Sequence, residues 1–173
     1  MPGRNVILVG FMGAGKSVCG RMLARRLGRC FVEIDDMIVA GEGCSIPEIF
    51  RRHGETRFRQ LEAEAVEALA LKSDDVVATG GGLPCRDGMM EALRVLGLVI
   101  WLRGDLQDLL ARARRQGARP MLDGRSDDDV VALYRAREPF YARAHLTIDT
   151  TGRTVDQVVA DLVAALRSDH ARV

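Results

Sequence analysis

The amino-acid sequence predicts an α/β fold in which a five-stranded parallel sheet is covered by helices on both faces. Two observations carry this. Short apolar runs alternate with longer amphipathic stretches from end to end. The apolar runs also lack the in-and-out alternation of a strand with one wet face, so they read as strands buried on both sides. A length of 173 residues fits one domain with one core, and no internal repeat or low-complexity linker divides it.

The elements follow in order. Val6-Ile7-Leu8-Val9 is wholly apolar and stops at Gly10, as a central parallel strand should. From Gly15 to Leu27, Cys19, Met22, Leu23 and Leu27 recur at helical spacing, and Gly28 suits a C-cap. Phe31-Val32 with Ile34 forms the second strand. Ser45-Ile46-Pro47-Glu48 has the form of a capping box with proline in the first turn, and a long helical pattern runs from about Thr56 to Leu71. Val76-Val77-Ala78 is the third strand, ending at Gly80-Gly81-Gly82. A helix from Met89 to Leu96 stops at Gly97, and Leu98 to Leu102 is the fourth strand. Leu106 to Arg115 is helical. A further helix runs from Asp127 to about Arg137, where Pro139 should break or kink it. Leu146-Thr147-Ile148 is the last strand, and Thr154-Val155-Asp156-Gln157 caps a final helix ending near Arg167. Crossovers in such a sheet are right-handed, and ligands bind beyond the carboxyl ends of the strands. The residues singled out below, after strands one to four, all fall at that end.

Composition removes several function classes. Hydrophobic residues make up 47% and charged residues 28%, an ordinary globular balance. The net charge of +1, from 25 basic and 24 acidic side chains, lacks the basic excess of a duplex-binding protein, so no nucleic-acid partner is expected. No run of 18 apolar residues occurs, so no membrane span is expected, and the N-terminus shows no signal-peptide pattern. The expected compartment is the cytoplasm. Cys19, Cys30, Cys44 and Cys85 show no metal or CxxC spacing and are expected to be free thiols, with Cys19 and Cys30 in packed positions.

Gly10-Phe11-Met12-Gly13-Ala14-Gly15-Lys16-Ser17 matches G-x-x-x-x-G-K-[ST] in full. Each residue type has a reason. Glycines let backbone N–H groups turn inward around phosphate oxygens. The helix that follows aims its positive end at the same anion. Lys16 offers an ammonium to the β and γ phosphates, and Ser17 a hydroxyl to Mg²⁺. A chance match has odds of roughly 1 in 100 in a chain of this length, and the strand before and helix after reduce them further. The motif gives the fold as a three-layer P-loop fold and the nucleotide as ligand. It leaves the acceptor open.

Glu33 and Asp35 lie near the end of strand two, and strand alternation places them on one side. Near a polyphosphate, one carboxylate can orient the metal or its waters while the other accepts a proton from an acceptor hydroxyl; an acidic, solvated turn would read the same way. Asp36 reads as a helix cap. Three consecutive glycines at 80–82 carry a high chain-entropy cost, which close approach of a ligand would explain. Arginine accounts for 23 of the 25 basic residues, so a single arginine signifies little. Arg59, Arg119 and Arg137 stand out by position. Arg119 precedes Pro120 in the glycine-containing segment 115–124, which has the look of a mobile lid.

Taken together these residues resemble the shikimate kinase family. The likeness runs from about Asn5 to Leu166. It rests on Phe58-Arg59, Arg59-Gln60-Leu61-Glu62 with Val66, Val76-Val77-Ala78-Thr79 leading into Gly80-Gly81-Gly82, Arg119-Pro120-Met121-Leu122, and Arg137-Glu138-Pro139-Phe140-Tyr141. The resemblance implies a nucleoside-monophosphate-kinase-like fold with a small acceptor-binding subdomain over about 35–61 and a lid over about 112–124. It implies transfer of the γ-phosphoryl of ATP to the 3-hydroxyl of shikimate, with Mg²⁺, in aromatic amino-acid biosynthesis, by a monomer. ATP would meet Gly13, Ala14, Gly15, Lys16, Ser17 and Val18, together with Arg112 beside the adenine, Arg153, and Arg119 from the lid. Shikimate would meet Asp35 as candidate base, Arg59 and Arg137 through its carboxylate, and the Gly80, Gly81 and Gly82 backbone. Lys16, Asp35 and Arg119 would be catalytic, with Ser17 and Glu33 serving the metal. Two departures from the family pattern are Glu33, where Asp is usual, and Pro84, where an aliphatic residue is more usual.

Three other readings compete. A gluconate-type small-molecule kinase would share the P-loop and lid but has no need of two arginines for a carboxylate. A nucleotide-dependent switch needs a partner surface rather than an arginine-bearing lid. An RNA-binding module using the arginines of 112–115 conflicts with the near-zero charge and the 5% aromatic content.

Overall fold

The computed structural model describes residues 4–115 and 126–170. Its centre is a five-stranded, all-parallel sheet of order β2-β3-β1-β4-β5. The strands are β1 (Asn5–Val9), β2 (Phe31–Glu33), β3 (Val76–Ala78), β4 (Gly97–Arg103) and β5 (Leu146–Asp149). All five residues of β1 are buried, as the apolar run Val6–Val9 requires of the middle strand. The helices are α1 (Lys16–Leu27), α2 (Ile34–Glu42), α3 (Ile46–Leu69), α4 (Met89–Leu96), α5 (Leu106–Arg115), α6 (Asp127–Tyr141) and α7 (Val155–His170).

The N-terminal edge of the sheet is stitched by Asn5, which is 2% exposed. Its amide donates to the carbonyls of Lys72 (3.1 Å) and Leu96 (3.4 Å), and its oxygen accepts from the Asp75 N–H at 2.9 Å. One polar side chain thereby satisfies three backbone groups that the short connections leave unpaired. Gly97 is not a stop between elements: α4 passes directly into β4, and Gly97 pairs with Asn5. A Cβ there would lie 2.5 Å from the Asn5 carbonyl oxygen, which is strand backbone and cannot yield. Gly97→Ala is therefore expected to cost about 1–3 kcal/mol of stability, read from the shift of a urea unfolding midpoint at unchanged slope.

Several sequence expectations are corrected. Ile34 does not extend β2 but opens α2, so the helix expected after Asp36 starts earlier. Glu33 is its N-cap position, so Asp36 lies in the first turn rather than at the cap. Ser45 precedes α3 without a side-chain cap bond, and the Glu48 carboxylate that would complete the capping box is engaged instead by Arg51 (3.0 Å) and Arg52. Pro47 does occupy the first turn. The helical stretch Ile46–Leu69 breaks internally at Gly54 (φ 75°, ψ 178°), a conformation almost confined to glycine, so its second part starts beside Thr56, where the sequence predicts the long helical pattern, and ends at Leu69 rather than Leu71. Pro139 does not end α6. It falls three residues from the C-terminus, so it removes one late ladder bond, and the helix runs on to the fully buried Tyr141. Cys19 is packed as expected, whereas Cys30 is exposed. The capping box of α7 forms between Thr154 and Gln157 (2.9 and 3.3 Å), and a second, at Ser126 and Asp129, opens α6.

Candidate active site

The site lies at the carboxyl ends of β1, β2 and β3. The loop from Gly10 to Gly15 turns over the start of α1 under steric compulsion. Gly13 has φ 76°, and a Cβ on it would stand 2.0 Å from the Leu109 carbonyl oxygen of α5. At Gly13 the loop is thus pressed against α5 with no room for a side chain. Lys16, 9% exposed, donates from Nζ to its own loop, to the carbonyls of Gly10 (2.8 Å) and Phe11 (3.0 Å). The ammonium is desolvated and held at the floor of a cavity of about 250 Å³, whose rim includes Gly15, Ser17, Val18, Glu33 and Asp35.

Glu33 and Asp35 do meet there, although strand alternation is not the cause. Glu33 ends β2, Asp35 sits in the first turn of α2, and the abrupt strand-to-helix junction turns both inward. Glu33 accepts from the Ser17 hydroxyl on Oε1 and from Arg21 on Oε2 at 2.9 Å. Asp35 is held well above the usual aspartate range, at about 6. Burial is the main cause, and the negative charges of Glu62 and Glu33 add to it against the opposing charge of Lys16.

A second cavity of about 190 Å³ adjoins the first and shares Lys16, Asp35, Gly80 and Gly81 with it. Its apolar wall is Met12, Ile46, Phe50 and Phe58. Its opposite wall is the bare backbone of the glycine triplet. A Cβ on Gly82 would fall 3.2 Å from Arg137 Nη2 and 3.6 Å from Arg59 Nη1, and one on Gly80 would fall 3.2 Å from Asp35 Oδ1. Missing side chains are what allow two guanidinium groups and a carboxylate to close on one small space. The triplet is braced from behind: the Tyr141 hydroxyl, kept protonated by burial, donates to the Gly81 carbonyl at 2.6 Å, beside the Cys85 thiol at 3.7 Å.

Of the residues singled out in the sequence, Gly13, Ala14, Gly15, Lys16, Ser17, Glu33, Asp35, Arg59, Gly80, Gly81, Gly82 and Arg137 gather around these two cavities or in the loop between them. Val18 is exposed at the mouth of the first. Arg112 is anchored to the Thr150 carbonyl (2.5 Å) and hydroxyl (3.1 Å), which ties α5 to the loop after β5. Arg153 pairs with Asp161 of α7. Arg119 lies outside the described residues, as does most of the expected lid. Sequence reasoning assigned no site role to the apolar wall or to Arg21, and it showed Tyr141 and Glu62 only as motif residues without a place in the site. Glu62 did leave a signal, since it occupies the core-facing stripe of α3 with Phe58, Leu61, Ala65, Val66 and Leu69, where a charge is out of place.

The cavities fit a polyphosphate and a small anion. Ser17 and Glu33 offer hard oxygen donors at the phosphate loop, and among the described residues no group of three or more His, Cys, Asp or Glu could hold a metal by itself. That donor set suits Mg²⁺, which takes few protein ligands and fills its shell with phosphate oxygens and water. The second cavity pairs its two guanidinium groups with an apolar face, a surface suited to a small anion with an apolar body.

Comparison with known proteins gives a consistent result. A family model described as shikimate kinase matches residues 12–167. A shikimate kinase from Geobacter metallireducens is 48% identical over 164 residues, covering 94% of this chain and 92% of its own. One from Moorella thermoacetica is 42% identical over 97% of this chain and 96% of its own. The structure of a shikimate kinase from Acinetobacter baumannii in complex with shikimate superposes with a TM-score of 0.86 at 33% identity, covering 96% of this chain and 94% of that one.

Proposed function

The chain belongs to the shikimate kinase family and phosphorylates shikimate with ATP, and from that premise we propose how its residues divide the work. The product is shikimate 3-phosphate, with ADP released. The observation that supports this division is that the two cavities share Lys16, Asp35, Gly80 and Gly81, so a phosphate in one and a hydroxyl in the other meet across the same groups.

The backbone of Gly13, Ala14, Gly15 and Lys16, with Ser17 and Val18, cradles the ATP phosphates at the positive end of α1. Lys16 neutralises charge on the transferring phosphoryl group. Ser17 and Glu33 would hold Mg²⁺, which when bound would offset the negative charge of the phosphate oxygens. Arg112 flanks the adenine, and Arg153 also meets the nucleotide. Arg59 and Arg137 hold the carboxylate of shikimate against the Gly80–Gly82 backbone, and the ring lies on Phe50 and Phe58. Asp35 accepts the proton of the attacking hydroxyl, a task suited to a carboxyl raised towards neutrality. Arg119 is assigned to the γ-phosphate on its sequence position alone. Segments of about 35–61 and 112–124 form the acceptor-binding part and the lid of one domain, in a monomer acting in the cytoplasm.

The test is ADP release from Mg²⁺-ATP with and without shikimate, with gluconate as control acceptor. Release should depend on shikimate and be absent with gluconate; equal release with both would sink the acceptor assignment. Arg137→Ala is expected to lower kcat/KM for shikimate about a hundredfold, mainly through KM, because a desolvated carboxylate loses a bidentate partner. A change confined to the KM for ATP would remove Arg137 from the clamp.

A further inference from the structure

Glu62 is 2% exposed, and although it ends the Arg59-Gln60-Leu61-Glu62 motif, no step of the reaction is assigned to it. Its Oε2 accepts from two arginines, Arg59 Nη1 at 2.9 Å and Arg86 Nη1 at 3.5 Å. Arg86 is fixed in place by a second bond, from the same Nη1 to the Arg59 backbone carbonyl at 2.8 Å. It directly follows the 3-10 turn Leu83–Cys85, which carries the chain away from the glycine triplet. The Arg59 guanidinium has other attractions. It donates to Glu55 at 2.8 and 3.1 Å, and it faces Gly82 across the acceptor cavity.

A guanidinium that serves an incoming carboxylate must share or give up the carboxylate it already holds. Glu62 cannot turn to water when that happens, and an uncompensated buried carboxylate costs far more than one hydrogen bond. We propose that Arg86 is the counter-charge that stays with Glu62 when Arg59 engages the acceptor, which makes Arg86 a positioning residue for acceptor binding. The inference rests on the assignment of Arg59 to the carboxylate clamp. The bond to the Arg59 carbonyl keeps Arg86 in reach of Glu62 whichever way the Arg59 side chain points, since that bond is to backbone. The required property of Arg86 is its charge rather than its bulk.

The test is a double-mutant cycle on the full chain, with Arg86→Gln alone and in a Glu62→Gln background. Gln keeps a donor for the Arg59 carbonyl and removes the charge. Arg86→Gln is expected to raise the KM for shikimate about tenfold or more, with kcat and the KM for ATP changed less than about threefold. In the Glu62→Gln background the same change should raise that KM less than about threefold, because no buried charge remains to be compensated. An equal rise in both backgrounds, or none in either, overturns the proposal. If Arg86→Gln does not fold, Arg86→Lys decides: it keeps the charge, so most of the affinity should remain, and a tenfold loss overturns the proposal. Arg59→Ala separates the two layers. If it raises KM while Arg86→Gln does not, only the inference fails; if it leaves KM unchanged, the clamp and the inference fail together.

Discussion

Replacing Asp35 by Asn is expected to lower kcat by a factor of about 10²–10⁴ and, in the same protein, to raise the stability of the ligand-free state. Asn keeps the shape of the side chain and loses its basicity, so the kinetic loss reports proton acceptance rather than packing. The stability gain follows from the same environment. In the folded protein the carboxyl titrates near 6 instead of 3.8, mainly through burial and secondarily through Glu62 and Glu33. A raised folded value means that the folded state holds the proton more tightly than the unfolded one. The associated stability is complete below pH 3.8 and is lost as pH rises through about 6. At neutral pH the native protein therefore carries an unfavourable charge, worth at most about 3 kcal/mol. Asn carries none. In EDTA without nucleotide, the melting temperature of Asp35→Asn should exceed that of the native chain at pH 7–8, and the gap should close towards pH 4. A variant less stable at pH 8 would contradict the buried-charge account. A kcat within tenfold of the native value would remove Asp35 as the base.

This opposition of stability and activity in one residue marks which parts of the site the sequence could reveal. The P-loop was legible because it is a backbone device. Only glycine survives 2.0 Å from the Leu109 carbonyl, so the requirement is printed as residue type at fixed spacing. The central strand was legible because burial on both faces leaves an unbroken apolar run from Val6 to Val9. The pairing of Glu33 with Asp35 was reached by the wrong route: helix α2 begins with no intervening turn, and no glycine or proline at the junction announces it. Arg86 was illegible because its role depends on a contact 24 positions away, with Glu62, and one arginine among 23 carries no signal of its own. Glu62 lies between these cases, since a charge on a buried helical stripe can be noticed but its partners cannot be named. Backbone requirements act locally and show in the chain, whereas compensation of a buried charge is a property of the assembled cavity.

Lys16→Met isolates the charge at the floor of that cavity, and it is expected to lower kcat at least about a thousandfold while changing the affinity for ADP less than about tenfold. Met keeps most of the apolar stem of lysine and its packing. What disappears is a buried ammonium, held by the Gly10 and Phe11 carbonyls, in the cavity proposed for the phosphates. Removing one preorganised donor from a developing charge costs about 10²–10³ in comparable sites, and here the donor carries a full charge in a buried setting. Ground-state binding of the diphosphate depends more on the loop N–H groups and the positive end of α1, which Met leaves intact. The two loop carbonyls lose their donor, so stability should fall by about 1–3 kcal/mol; thermal unfolding is measured first to confirm that the variant is folded. Calorimetric titration with ADP then separates the roles. Retained ADP affinity with lost turnover places Lys16 on the transferring phosphoryl group. Loss of both in proportion would mean that the lysine holds the ground state, and the acceleration would have to come from elsewhere in the site.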